Sequence, residues 1–403
     1  MKVQTLKISL VFYCLILLSI ALKNDSSLIA DSDDWNTLTY NPVVLLIKNL
    51  SNYILIGTIF SAFLLYLGKI INERKIHKNI VLNLFFAVNL FFVINSMFVS
   101  FEFSIKILQA LFVYISVFLI SSALILKYNY EEIKSIFYNS LIVFSIIYIF
   151  LNLISHLGGY SYVSGNPRFF GLTVHPNFAG VHLAICNIII LINAFKNKKL
   201  FIVLLIGLWM QILTGSRTSI VILFSAVFAF TLVNRSMGVK VTSLISLVLL
   251  MSGLYFVRLS EQFDRGITAG DTRTEAWLSM LDKIYHHPFT GLGEFVGYSE
   301  NSFLRVTVAF GIPSAILYVG IILIVLFKYY INVKNNYKKE DIVGFCLLFG
   351  LTFGGFFEGY LIDLISLPKI ILVFLIIFYQ ASRSESFVTK TLKFEGKKID
   401  KTF

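Results

Sequence analysis

Residues 80–100 read IVLNLFFAVNLFFVINSMFVS, without one charged side chain. At about 1.5 Å of helical rise per residue, that stretch covers about 30 Å, the thickness of a bilayer's hydrocarbon core. Its reading decides the fold class, which is all-α and membrane-embedded. The same test applied outward gives about twelve candidate spans. They lie at 7–23, 48–70, 80–100, 105–126, 136–155, 176–195, 200–214, 217–233, 241–257, 303–327, 342–361 and 366–381. The first resembles a signal-peptide core, but no small-x-small cleavage pattern follows Ser19, so it is expected to stay as an anchor. The chain therefore reads as a single integral membrane domain over 1–403.

Composition agrees. Of 403 residues, 57% are hydrophobic and 14% charged, and the mean hydropathy is +0.81. Soluble domains carry about 25% charged residues. So few charges cannot cover a water-facing surface, which excludes a cytosolic enzyme, a nucleic-acid-binding protein and a disordered chain. The net charge of +12 then reports topology, because cytoplasmic loops of membrane proteins collect Lys and Arg. With the N-terminus inside, the inner segments hold Arg74, Lys75, Lys78, Lys196, Lys198, Lys199, Lys338 and Lys339, and a basic tail over 382–403. The outer segments hold far fewer. Both ends are thus expected in the cytoplasm. The three cysteines, Cys14, Cys186 and Cys346, lie inside apolar runs and read as core residues.

Two outer segments are longer than topology needs, and long loops in compact proteins are often functional. The first, 156–175, carries Arg168, Phe169, Phe170, Gly171 and then His175-Pro176-Asn177. Its short apolar run suggests a re-entrant-like loop, which survives at membrane depth only when lined by protein. His175 reads as an acid, a base, a sugar donor or simply a cap. The second, 258–302, holds a helix signal: Thr272 and Glu275 have capping-box spacing, and Trp277, Met280, Leu281 and Ile284 form one apolar face. A short amphipathic helix over 273–286 is predicted, stopped by His287-Pro288. Trp277 alone reads as an interfacial anchor.

Positive charge is depleted on the outer side, so Arg168, Arg217, Arg258, Arg265, Arg273 and Arg305 carry information. Guanidinium forks suit phosphate oxygens; snorkelling or local ion pairs are the plainer alternative. Glu300, in Glu300-Asn301-Ser302 at the mouth of a span, reads either as a solvated loop acid or as a base made stronger by desolvation. Glu358 and Asp363 flank the last outer hairpin, where nearby water weakens any functional inference. Tyr160, Tyr162, Phe169 and Tyr298 suit sugar stacking and an aromatic belt equally.

Taken in order, Arg168-x-x-Gly171-x-x-x-His175-Pro176-Asn177, Ser216-Arg217, Arg273-x-x-x-Trp277, His287-Pro288-x-x-Gly291-x-Gly293 and Glu300-Asn301-Ser302-x-Leu304, with Gly311 after, resemble the O-antigen ligase and Wzy-type polysaccharide polymerase superfamily. The resemblance covers about 165–315. It implies glycosyl transfer from an undecaprenyl-pyrophosphate-linked oligosaccharide at the outer face of the bacterial cytoplasmic membrane. It carries pyrophosphate binding to Arg217, Arg273 and Arg168, adds His287 and Asn301 to the substrate-binding set, and makes Glu300 and His175 the catalytic candidates. The family often has His where this chain has Glu300, which tilts the expectation from ligase to polymerase. Membrane lipids, a flippase and a chain-length regulator are the implied partners. No cofactor, metal or nucleic acid is expected: there is no nucleotide-binding glycine loop, and a lipid pyrophosphate brings its own leaving group. A ligase shares this donor chemistry. A lipid-linked sugar transporter would want polar groups near mid-membrane.

Overall fold

A computed structural model describes residues 2–23, 41–73, 80–99, 105–127, 130–163, 168–173, 175–195, 197–234, 272–293, 301–362 and 365–379, with isolated positions 236, 238 and 241. The helices are α1 (Lys2–Leu22), α2 (Pro42–Glu73), α3 (Ile80–Val99), α4 (Ile105–Lys127), α5 (Tyr130–Leu157) and α6 (Pro176–Ala194). Then come α7 (Leu200–Leu213), α8 (Arg217–Val233), α9 (Thr272–His286), α10 (Ser302–Asn336) and α11 (Lys339–Gly354). A 3-10 turn, Gly359–Leu361, leads to α12 (Leu367–Tyr379).

Each expected span within the described residues except 342–361 overlaps a single helix; 241–257 lies outside them, apart from position 241. Among the described residues five helices are long and apolar enough to cross a membrane, in α2, α3, α5, α6 and α10. Shorter apolar helices are Ser9–Leu22, Leu111–Ser122, α7, α8 and α12. The 14 residues of α7 cover only about 21 Å. The expected span 342–361 is not one helix. It ends at Gly354, turns, and resumes as the 3-10 turn.

α12 is buried on every side from Ile370 to Tyr379, and α6 is nearly as enclosed, so these helices form the centre. Around them, large apolar side chains face outward, among them Tyr53, Ile56, Phe98, Ile202, Leu205, Ile316 and Phe327. So much contiguous apolar surface has no place in water, and lipid is the solvent it fits. Polar side chains inside the bundle bond to carbonyls four residues back in their own helix. Asn89 donates to Phe85, Ser116 to Phe112, Ser140 to Ile136, Ser145 to Leu141 and Asn152 to Tyr148. These five side chains are thus satisfied within their own helices. Asn187 donates to Gln211 and ties α6 to α7.

One helix is broken by design. Gly311 in α10 has φ 80°, ψ 168°, and Pro313 has no N–H to give Ala309. The turn after α9 fills the gap. Leu292 N donates to Val308 O, Gly293 N to Ala309 O, and Ile312 N to Pro288 O, each at 2.8 Å. Asn95 of α3 donates to Thr290 O at 2.7 Å. A Cβ on Gly311 would lie 2.1 Å from Phe289 O, and one on Gly291 2.4 Å from the Ala309 carbonyl carbon. The His287-Pro288-x-x-Gly291-x-Gly293 sequence is therefore a backbone splint for the Gly311 kink, and its glycines let two backbones touch.

α9 matches the predicted amphipathic helix and packs on α10. Its buried side is narrower than the periodicity suggested. Met280 is buried and Trp277 and Ile284 are partly buried, but Leu281 is exposed.

Candidate functional site

Three helices begin at one end of the bundle, around one acid. Pro opens α6, with its fixed φ already helical and its missing N–H no loss there. His175 caps it, Nδ1 accepting from Asn177 N at 3.1 Å. Gly215, at φ 60°, turns the chain between α7 and α8. Ser216 then caps α8 by accepting from Ser219 N. Asn301 caps α10, its Oδ1 accepting from Phe303 N at 2.9 Å and Leu304 N at 3.1 Å. The first turns of α6, α8 and α10 contain no acid, although acids are favoured at such positive helix ends.

The missing acid comes from elsewhere in the chain. Glu358 lies in the connection between α11 and α12 and is 1% exposed. Its Oε2 accepts from Asn177 Nδ2 and from Thr218 Oγ1, each at 3.4 Å. These are the second residues of α6 and α8. Its backbone carbonyl accepts from the Ser302 hydroxyl at 2.7 Å, the first residue of α10, while Ser302 N donates to Gly355 O. Ser302 Oγ also accepts from Leu361 N. One residue thus touches three helix starts.

Arg168 reaches the same cluster. Its Nε donates to Thr214 O and its Nη2 to Asn177 Oδ1, both at 2.8 Å. The Asn177 amide is a relay, accepting from the guanidinium and donating to the carboxylate. The 168–173 backbone is held by protein: Phe169 N bonds Leu213 O, Phe170 N bonds Ser161 O, and Leu172 N bonds Asn152 Oδ1. Gly180, one turn into α6, packs against Ser216; a Cβ there would meet Ser216 Cβ at 2.6 Å. The two helix starts are therefore locked side by side.

Arg217 is the first residue of α8 and is exposed. A cation at a helix N-terminus opposes the macrodipole, so helix stability does not account for it. Among the described residues, three helix ends, each worth about half a positive charge, and the guanidinium groups of Arg168, Arg217 and Arg305 stand against one carboxylate.

The sequence candidates distribute as follows. Arg168, His175, Arg217 and Asn301 lie in or beside this cluster. Asn301 and His175 act there as helix caps. His287 does not join it: exposed at the end of α9, it belongs to the Gly311 splint, about two turns of α10 away. Arg273 is the second residue of α9, and its side chain lies outside the described residues, as do Glu300, Arg258, Arg265 and Tyr298. Phe169 is fully buried and Tyr162 bonds His156 at 2.9 Å, so Phe169 offers no face to a sugar. Among the described residues no group of three or more His, Cys, Asp and Glu side chains is placed to hold a metal.

Sequence reasoning passed over Glu358 and Asn177 as site residues. A signal was present: three helix starts without an acid need one from outside.

No family model matches the chain, and no curated protein matches it.

Proposed function

We propose that the chain is a polysaccharide polymerase of the bacterial cytoplasmic membrane. It joins lipid-linked repeat units at the outer face into an O-antigen, capsule or exopolysaccharide. The observation that carries the reading is the gathering of Arg168, Arg217 and Asn301, far apart in sequence, at helix starts that share Glu358. Such a gathering fits a pyrophosphate.

In this reading an acceptor hydroxyl oxygen attacks the anomeric carbon of the donor sugar. The new glycosidic C–O bond forms as the bond to pyrophosphate oxygen breaks, and undecaprenyl pyrophosphate leaves. Glu300 takes the hydroxyl proton. Arg217 and Arg273, with Arg168, meet the charge that develops on the leaving phosphate. Fixed donors of this kind contribute on the order of 3 kcal/mol each to catalysis, and a general base adds roughly 10²–10⁴-fold.

The test is deletion in the native host, with the surface glycan run on a size-resolving gel. A polymerase predicts single repeat units in place of a ladder, restored by the wild-type gene and not by Glu300→Gln or Arg217→Ala at equal expression. Full-length chains stranded on the carrier would make the protein a ligase. An unchanged ladder, or restoration by both variants, would overturn the reading.

A further inference from the structure

We propose that Glu358 is a positioning residue for the anionic donor. It aims Arg168 through Asn177, and through Thr218 it fixes the first turn of α8 that carries Arg217. The inference rests on the pyrophosphate reading above and adds a residue outside the motifs that led to it.

Glu358 is buried, so it is shielded from any ligand in solution. Its contacts lead outward instead. One runs from Oε2 through the Asn177 amide to Arg168 Nη2. Arg168 Nε is fixed in turn on Thr214 O, in the turn that precedes Arg217. The other runs from Oε2 to Thr218, the residue after Arg217. The carboxylate thus closes a ring through Arg168, Thr214, the 214–218 turn and Thr218. Both arginines stand on that ring. Opening it at Glu358 loosens the hold on both at once, whereas each outer link loosens one.

A buried acid at this point also opposes the field that attracts the donor. A group kept for charge alone would be removed with a gain in anion binding. A group kept for position is removed with a loss. The two roles predict opposite signs, which makes the experiment decisive. Small displacements of a positioning group cost up to about 10²-fold.

The measurement is binding of inorganic pyrophosphate to the purified full-length chain in lipid nanodiscs by calorimetry, with donor-dependent chain extension measured in parallel. Glu358→Ala is expected to weaken pyrophosphate binding about tenfold and raise the KM for the lipid-linked donor more than it lowers kcat. Glu358→Gln keeps an acceptor oxygen and is expected to lose about threefold. Asn177→Ala and Thr218→Val, which each cut one link, provide a reading if Glu358→Ala does not fold. Each is expected to weaken binding less than Glu358→Ala. Adding Arg217→Ala to Thr218→Val should cost little beyond Arg217→Ala alone, since both act through one guanidinium.

Unchanged or tighter binding in the Glu358 variants, or full additivity with Arg217→Ala, overturns the proposal. The two readings fail separately. If the wild type binds pyrophosphate but extends no glycan, the polymerase reading falls and Glu358 is judged on binding alone. If the wild type binds no pyrophosphate, both fall.

Discussion

Asp341 and Glu358, the two fully buried acids among the described residues, stand at opposite ends of α11 and are held in different ways. Asp341, in the first turn, lies 2.6 Å from the ammonium of Lys134 on α5, itself 2% exposed. Charge there meets charge inside the pair. Glu358, just beyond the other end, accepts longer bonds at 3.4 Å from an amide and a hydroxyl, in front of helix starts and near arginines. The amide and the hydroxyl orient this carboxylate toward the first turns of α6 and α8. The first arrangement is a closed fastener. The second ties the starts of three helices to one residue.

The comparison breaks first at Lys134. Lys134→Met leaves a buried, unpaired carboxylate, which costs about 3–5 kcal/mol. Thermal unfolding in detergent should show a large fall in Tm. Lys134→Met with Asp341→Leu should recover most of it, because a buried ion pair is often no more stable than an apolar pair of like volume. If the double variant stays as unstable as the single one, Asp341 has a further role and the contrast with Glu358 weakens.

Glu358→Gln provides the reverse case. The amide keeps an acceptor for Asn177 or Thr218, so the expected stability loss is about 1 kcal/mol, the size of one net hydrogen bond. Its main effect should appear in donor use, while Lys134→Met should leave the KM of the folded fraction unchanged. A Glu358→Gln protein as unstable as Lys134→Met would make both acids fasteners.

Much of the frame was legible because it depends on local composition. Apolar runs set the helices, and the expected spans that open at 176, 217 and 303 lie within one residue of helix starts in the structure. The motif glycines were legible as a pattern, but their reason was not: Gly291 and Gly311 matter because two distant backbones touch. Glu358 was judged by its nearness to a span end, where water is expected. Its burial arises from helices that start at 176, 217 and 302, and no window on one sequence contains that convergence. Leu281 failed for a related reason: among the described residues α9 packs chiefly on α10, and one main neighbour buries a narrower stripe than the periodicity offers.

The smallest effect refines the fastener end. Lys338, beside α11's first turn, lies 2.9 Å from Glu131, with both side chains about half exposed. The hydrogen bond that Lys338 donates to Glu131 is the main cause that raises the lysine's pKa. A raised lysine pKa adds stability that is fully present below the unfolded value and is lost as pH rises through the folded one. The contribution should therefore persist at neutral pH and fade only in strongly alkaline buffer. Water screens the pair, so Lys338→Ala should cost about 0.5 kcal/mol or less, a small fraction of the Lys134→Met loss a few residues away in space. Comparing the two Tm shifts at neutral and alkaline pH isolates burial as the variable, since both pairs join a lysine to a carboxylate across α5 and the start of α11. Equal losses would mean that charge pairing alone, and not enclosure, sets the strength of this end.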